Sequence, residues 1–270
     1  MELHVGTSGF SYEKWRGSFY PEDLASGEML RFYAGQLSSV EINNTFYRMP
    51  KRALLEGWSR QVPPQFVFAL KAPKRITHIK KLREVADDVT YLHRVAASLA
   101  EHRGPILFQL PPYLRKDVPL LRDFLALLPD DPRAVIEVRH RSWLDDEVYE
   151  VLRGHAAALC IADAGEEFDA PLLATASFGY LRLRREGYDE AALASWAARV
   201  HEQPWQRVFV FFKHEDAGVG PALAARFRSL FVDGRSLAVP PWRATVPEPQ
   251  PAAIGAAVPA PRRRRTTRSS

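Results

Sequence analysis

The sequence predicts an α/β fold, a single (β/α)₈ TIM-like barrel with one degenerate crossover, from three observations. Eight short apolar runs recur along the chain, helical patterns separate almost all of them, and most runs end in polar, charged or aromatic residues. Alternating strands and helices form a parallel sheet with crossover helices. Eight units suit a closed barrel better than an open doubly wound sheet, which also begins with a glycine-rich dinucleotide turn that Gly6-Thr7-Ser8-Gly9 does not match.

The predicted strands are short, and several are rich in β-branched or aromatic residues, as expected for strands covered on both faces. In chain order they are His4–Thr7, Ser39–Ile42, Phe66–Leu70, Ile106–Leu110, Ala134–Val138, Leu159–Ala162, Tyr180–Leu183 and Val208–Phe212.

Segments with apolar residues at helical spacing lie between these strands and after the last one. They are marked by Met29–Tyr33, Ala53–Trp58, Val89–Leu99, Leu120–Leu128, Val148–Leu152, Leu193–Val200 and Leu223–Leu230. The sixth crossover, from Ala164 to Phe178, is too short to predict a helix. From about Ala238 the chain is rich in Pro, Ala and Arg without apolar periodicity, so we predict a barrel domain over 1–237 and a disordered tail over 238–270.

The net charge of +5 is concentrated in this tail. Five arginines lie in its last nine residues (Arg262, Arg263, Arg264, Arg265 and Arg268), and without them the chain is neutral. Such a tail either binds nucleic acid or acidic surfaces, or is simply a solvated end.

No apolar stretch reaches the roughly 20 residues that span a bilayer, and the N-terminus lacks the pattern of a secretory signal. The one cysteine, Cys160, excludes an internal disulfide and a cysteine-rich zinc site. We therefore expect a cytoplasmic protein without a membrane partner. The oligomeric state is not predicted.

Two glutamates, Glu41 and Glu137, lie within apolar strands, where an acid is costly to bury unless it is paired or functional. In a TIM-like barrel the C-terminal strand ends form the rim that holds the active site. Two carboxylates there could act as acid and base, or as acid and nucleophile. The alternative is that each pairs with a cation such as Arg139, Lys71 or Arg182, in a structural role.

Other candidate site residues follow the same strand ends. Basic and amide groups that could bind a phosphate or carboxylate are Lys71, Arg139, Arg182, His78, Asn43 and Asn44. Aromatic rings that could stack on a base or a sugar, or else pack the loops, are Tyr12, Trp15, Tyr47 and Trp143. Residues of metal-ligand type also lie near the strand ends, namely Glu41, Glu137, His140, Asp163, His214 and Glu215, but no tight ligand spacing occurs among them, so we assign no metal ligands. The sequence does not identify a cofactor.

Several blocks at these strand ends resemble domain-of-unknown-function family 72, the YecE-like proteins. The resemblance spans roughly residues 3 to 230 and is carried by Gly6–Tyr12 with Trp15, Gly17 and Phe19–Pro21, then by Val40–Tyr47, Lys71–His78, Leu110–Pro112, Glu137–Trp143 and Tyr180–Arg182. It departs at Phe212–Asp216, where an asparagine-rich run is expected, so His214 is given no role. The resemblance implies a TIM-like barrel and brings no established reaction.

Three functions remain open. The first is an enzyme that acts on a phosphorylated or otherwise anionic substrate, including a nucleotide or nucleic acid, with Glu41 and Glu137 transferring protons and Lys71 and Arg139 holding the anion. The second is a glycosidase-like hydrolase that uses the same glutamates. The third is a non-catalytic module that binds nucleic acid or protein through its basic tail.

Overall fold

The structure, a computed structural model, describes residues 1–129, 133–165 and 170–231 and has the closed eight-stranded barrel that the sequence predicts. Its strands are β1 (Glu2–Ser8), β2 (Ser39–Ile42), β3 (Val67–Lys71), β4 (Arg103–Gln109), β5 (Ala134–Glu137), β6 (Ala158–Asp163), β7 (Phe178–Leu183) and β8 (Arg207–Phe212). Each strand pairs in parallel with the next, and β8 returns to pair with β1. All C-terminal strand ends therefore meet at one rim.

Helices surround the barrel at the predicted places. They are α1 (Met29–Gln36), α2 (Arg52–Ser59), α3 (Ala86–Ala96), α4 (Val118–Leu125), α5 (Asp146–Gly154), α6 (Glu190–His201) and α7 (Val219–Ser229). Within the described part of the sixth crossover, residues 164–165 and 170–177, the chain forms no helix. The predicted disordered tail, 238–270, lies outside the described residues.

Two helices end before their apolar patterns do. After α3 the chain tightens into a 3₁₀ segment, and Ala100 then adopts a φ of 48°, a left-handed conformation that an α-helix cannot continue. After α4, the backbone N–H groups of Leu127 and Leu128 bond to carbonyls three residues earlier, so the last turn is also of 3₁₀ type.

The apolar core has two layers. The larger layer lies between the strands and the helices, and it includes rings from the first loop such as Trp15, Phe19 and Tyr20. The smaller layer fills the barrel interior, where alternate strand residues such as Leu107, Val135, Cys160, Tyr180 and Phe211 pack together. In this interior layer the apolar side chains give way to polar ones near the C-terminal rim.

A close approach of β1 and β2 fixes one side of this rim. A Cβ on Gly6 would lie 1.7 Å from the carbonyl oxygen of Ser39, so only glycine fits there. The Tyr33 hydroxyl, from α1, bridges the same two strands. It accepts a hydrogen bond from the Thr7 backbone N–H at 2.8 Å and donates one to the Ser39 carbonyl at 3.0 Å. This contact aligns Ser8 directly opposite Glu41.

In the part of the chain that the structure describes, no helix is both long and apolar enough to cross a membrane.

Candidate functional site

The candidate site is a chain of buried polar side chains across the C-terminal end of the barrel. Period-2 alternation points Glu41, Gln109 and Glu137 inward from β2, β4 and β5, and Arg182 inward from β7. Because Gln109 is the register partner of Glu137, their side chains are neighbours. Barrel closure brings β7 within reach of β2 across the interior.

Arg182 bridges the two glutamates. Its Nη1 donates to Glu137 Oε2 at 2.7 Å and its Nη2 donates to Glu41 Oε1 at 2.9 Å. The three side chains are at most 2% exposed. Glu41 also accepts hydrogen bonds from the Ser8 Oγ at 2.8 Å and the Tyr180 hydroxyl at 2.7 Å. Pairing with Arg182 is one of the structural roles that the sequence leaves open for these two glutamates.

Both carboxylates are held in the ionised form. Burial raises the pKa of Glu41, but the Arg182 charge and the hydrogen bonds from Tyr180 and Ser8 outweigh it, so that pKa lies below its usual value. Burial likewise raises the pKa of Glu137, and Arg182, Arg184 and the hydrogen-bond donors again lower it below the usual value. These groups accept hydrogen bonds and do not carry protons to donate.

Gln109 connects this cluster to Lys71. Its Nε2 donates to Glu137 Oε1 at 2.8 Å, and its Oε1 accepts from Lys71 Nζ at 3.0 Å. The amide orientation is consistent, because an ionised carboxylate requires the NH₂ end and an amine donor requires the oxygen. Lys71 is therefore separated from the Glu137 charge by a neutral side chain.

Lys71 is a buried cation without an ion pair among the described residues. It is 9% exposed at the end of β3, and no carboxylate oxygen of the described chain lies within 4.0 Å of its Nζ. The Nζ lies 4.2 Å from the centroid of the Phe46 ring. Burial, and then the Arg182 charge, lower the pKa of Lys71 to about 8, although Glu41 and Glu137 partly offset them.

Further basic groups lie around Lys71 at the rim. His78 packs edge-on against Phe46, with ring centroids 5.0 Å apart, and burial together with the charges of Lys71 and Arg139 lowers its pKa. Lys213, at the end of β8, is exposed and close enough to contribute to the lowered pKa of Lys71. Lys71, Lys213 and Arg139 therefore place positive charge on this part of the rim, while Glu215 is an acid that follows β8.

The predicted aromatic residues have different environments. Trp15 and Trp143 are fully buried, and their Nε1 atoms donate to the backbone carbonyls of Glu215 at 2.9 Å and Leu114 at 2.7 Å. These two rings pack the loops and present no face to a ligand, so the stacking role that we considered for them has no support.

Tyr12 is half-buried, and its hydroxyl donates to the Ser8 carbonyl at 2.7 Å, which puts it beside the network. Tyr47 is 73% exposed at the edge of the rim. At the end of β2, Asn43 is half-buried and Asn44 is exposed, and Arg139 is exposed at the end of β5. These residues surround the buried cluster without belonging to its chain of hydrogen bonds.

The sequence analysis missed four participants: Ser8, Gln109, Tyr180 and Lys213. Gln109 had a usable signal, because it is a lone polar residue at the end of an apolar run, as Glu137 is on the next strand. Tyr180 and Ser8 had no such signal, since a tyrosine or a serine in a buried strand is unremarkable until its partner is known.

Within residues 1–129, 133–165 and 170–231, no three His, Cys, Asp or Glu side chains gather closely enough to hold a metal ion. Asp163, at the end of β6, accepts hydrogen bonds from Tyr188 at 2.8 Å and Trp196 at 3.1 Å. Since Trp196 lies on α6, Asp163 anchors that helix and takes no part in the network at the rim.

Comparison with known proteins agrees with this architecture. The chain is 31% identical to the UPF0759 protein YecE of Escherichia coli over 140 residues, which are 51% of this chain and 48% of YecE. It is 27% identical to the UPF0759 protein YunF of Bacillus subtilis over 157 residues, 55% of this chain and 54% of YunF. These alignments span about half the length of the curated relatives.

Solved structures match over more of the chain. A crystal structure of a DUF72 family protein from Thermotoga maritima superposes with a TM-score of 0.75 at 27% identity, over 85% of this chain and 99% of that one. One from Enterococcus faecalis superposes with a TM-score of 0.68 at 18% identity, over 85% and 97% of the two chains, and shows the fold alone. The family model described as "Protein of unknown function DUF72" matches residues 4–250, so the chain belongs to the DUF72 family.

Proposed function

We propose that this protein is an enzyme whose C-terminal barrel rim binds and acts on an anionic substrate, a phosphorylated or carboxylated compound. The observation that carries the proposal is Lys71, a buried cation that contacts no carboxylate among the described residues. A buried charge without a partner is costly, and such groups concentrate at functional sites.

The distribution of charge supports an anionic ligand. Within the buried cluster, Arg182 uses both of its terminal nitrogens on Glu41 and Glu137. Lys71 is left with a neutral amide oxygen and a ring face as its contacts. Arg139 and Lys213 add positive charge at the ends of β5 and β8, and a phosphate or carboxylate beside Lys71 would supply the missing negative charge.

The two glutamates have a different role in this proposal from the proton transfer that we first considered. With lowered pKa values they are ionised at neutral pH and fix the position and charge of Arg182. Proton transfer falls instead to Lys71, whose pKa is about 8, and to the neighbouring His78. A glycosidase-like mechanism gains no support, because it needs one protonated carboxyl and space between the two acids, which the Arg182 guanidinium bridges.

Thermal unfolding with added anions tests the proposal. Inorganic phosphate, sulfate and a panel of phosphorylated and carboxylated metabolites would be titrated into the protein. A ligand at ten times its Kd stabilises the folded state by about 1.4 kcal/mol, a rise of roughly 3–6 °C in Tm for a domain of this size. Lys71→Met should abolish the rise, whereas Lys51→Met, a matched change of an exposed lysine at the start of α2, should preserve it. An equal rise in both variants would contradict the proposal.

A non-catalytic binding role for the arginine-rich tail stays a prediction, since that segment lies outside the described residues. Deletion of residues 262–270 should abolish nucleic-acid binding if the tail drives it, and binding by the full chain should weaken steeply with salt. Binding that survives the deletion with the same salt dependence would rule out this role.

A further inference from the structure

We infer that Lys71 is a nucleophile that forms an imine with the carbonyl group of an anionic aldehyde, ketone or 2-oxo acid. This inference rests on the proposed function, because the anionic group of the substrate is what the surrounding cations would hold. It goes further by naming the reacting atom, Lys71 Nζ, and the second functional group of the substrate.

The contacts of Lys71 are those of an amine that can lose its proton. Its Nζ has one hydrogen-bond acceptor, the neutral Oε1 of Gln109 at 3.0 Å, and one ring face, that of Phe46 at 4.2 Å. A lysine that contacts a carboxylate is held as ammonium. Here Arg182 occupies Glu137 and Glu41, and Gln109 stands between Lys71 and Glu137. One remaining N–H of the neutral amine can keep the bond to Gln109, which leaves the nitrogen lone pair for attack.

The charged and titratable groups that face Lys71 come from five elements, and together with burial they lower the pKa of its ammonium group. They are Arg182 on β7, Glu41 on β2, Glu137 on β5, Lys213 after β8 and His78 in the loop after β3. Burial and the two cations outweigh the two carboxylates, so the pKa falls from 10.5 to about 8. At pH 7.5 this gives a neutral fraction roughly 200-fold larger than that of an ordinary exposed lysine. Desolvated lysines of this kind are the ones that form Schiff bases.

The covalent step balances without another reactant. The Nζ lone pair forms the C–N bond as the carbonyl π electrons move to oxygen, and this oxygen takes up a proton to give a carbinolamine. The nitrogen then passes one of its protons to the hydroxyl, the C–O bond breaks, and the oxygen leaves as water while the nitrogen lone pair forms the C=N bond, which gives a protonated imine. His78, which packs edge-on against the same Phe46 ring that Lys71 contacts, is the nearby group suited to carry protons between nitrogen and oxygen.

Reductive trapping of the full chain tests this inference with two small aldehydes, glyoxylate and acetaldehyde, in the presence of cyanoborohydride. The two differ in that glyoxylate has a carboxylate in place of a methyl group, and both are small enough that steric exclusion does not decide the result. Labelling at Lys71 is divided by labelling at the exposed Lys74 in the same sample, which cancels the intrinsic reactivity of each aldehyde. Peptide mass mapping measures both positions.

With glyoxylate at pH 7.5, we expect Lys71 to be labelled at least about 10-fold more than Lys74, allowing for the weaker nucleophilicity of a less basic amine. The rate at Lys71 should rise with pH to a midpoint near 8. The Lys71-to-Lys74 ratio should fall about 10-fold with acetaldehyde, and inorganic phosphate should protect Lys71. Lys71→Arg keeps the charge and should still bind phosphate but form no label at position 71, whereas Lys74→Arg should leave labelling of Lys71 unchanged.

Two results would overturn different parts of this proposal, the nucleophile or the anion site. If phosphate stabilises the protein and Lys71 is labelled no more than Lys74 by either aldehyde, the anion site stands and the nucleophile is wrong. If both aldehydes label Lys71 equally and phosphate neither protects nor stabilises, the nucleophile stands and the anionic substrate, with the proposed function, is wrong.

Discussion

Arg182→Met should convert the centre of the barrel from a neutralised network into a pair of uncompensated buried acids. In the native chain one guanidinium contacts both Glu137, at 2.7 Å, and Glu41, at 2.9 Å. Removing one partner of a buried ion pair typically costs about 3–5 kcal/mol, because the remaining charge is left in a low dielectric. For a domain of this size, that corresponds to a fall in Tm of roughly 6–20 °C.

The pH dependence of stability between pH 5 and pH 8 should also change. In the native protein both glutamates have a lowered pKa, so their contribution is present above the unfolded value of 4.5 and is lost as the pH falls below it. Without Arg182, burial raises both pKa values above 4.5. The folded variant then binds more protons than the unfolded chain, so its stability should increase as the pH falls from 7.5 towards 5.

Thermal unfolding followed by circular dichroism between pH 5 and pH 8 measures both effects. Arg207→Met is the matched control, since Arg207 forms an exposed pair with Glu2 at 2.9 Å and its loss should cost less than about 1 kcal/mol. Combining Arg182→Met with Glu41→Gln and Glu137→Gln should recover most of the loss, because neither of the two side chains that Arg182 paired with is then charged. If the Arg182→Met variant melts within 2 °C of the native chain and its stability has the same dependence on pH, the buried ion pairs do not contribute as described.

Two further predictions concern the scaffold. Gly6→Ala should destabilise the barrel by at least about 3 kcal/mol in chemical denaturation, because the new methyl would lie 1.7 Å from the Ser39 carbonyl oxygen. Gly35→Ala, in α1 with nothing within 4 Å, should instead stabilise by about 0.5–1 kcal/mol, and similar losses in both variants would contradict this account. Burial lowers the pKa of His93 to about 4, so the unfolded state binds the extra proton between pH 6.5 and 4, and stability falls as the pH falls through that window. His93→Leu should remove up to about 3 kcal/mol of that loss in pH-dependent melts.

The sequence by itself determined the barrel and which polar side chains lie at its C-terminal end. Strand and helix signals are local, because period-2 and helical patterns record which side of each element is buried. Eight such units leave few topologies other than the closed parallel barrel. The strand-end rule then identified Glu41, Lys71, Glu137 and Arg182 before any contact was known.

Only the tertiary structure decided how these groups pair. Glu41 and Arg182 are 141 residues apart in the sequence, and barrel closure alone brings their side chains to 2.9 Å. Arg182 bonds to both acids, and the direct pairing of β3 with β4 puts a neutral Gln109 beside Lys71. Gln109 had no role assigned from the sequence. Charge pairing depends on distances of a few ångströms between strands distant in the chain. The sequence therefore determines which charges reach the rim, and the fold determines that Lys71, although buried, has no counterion among the described residues.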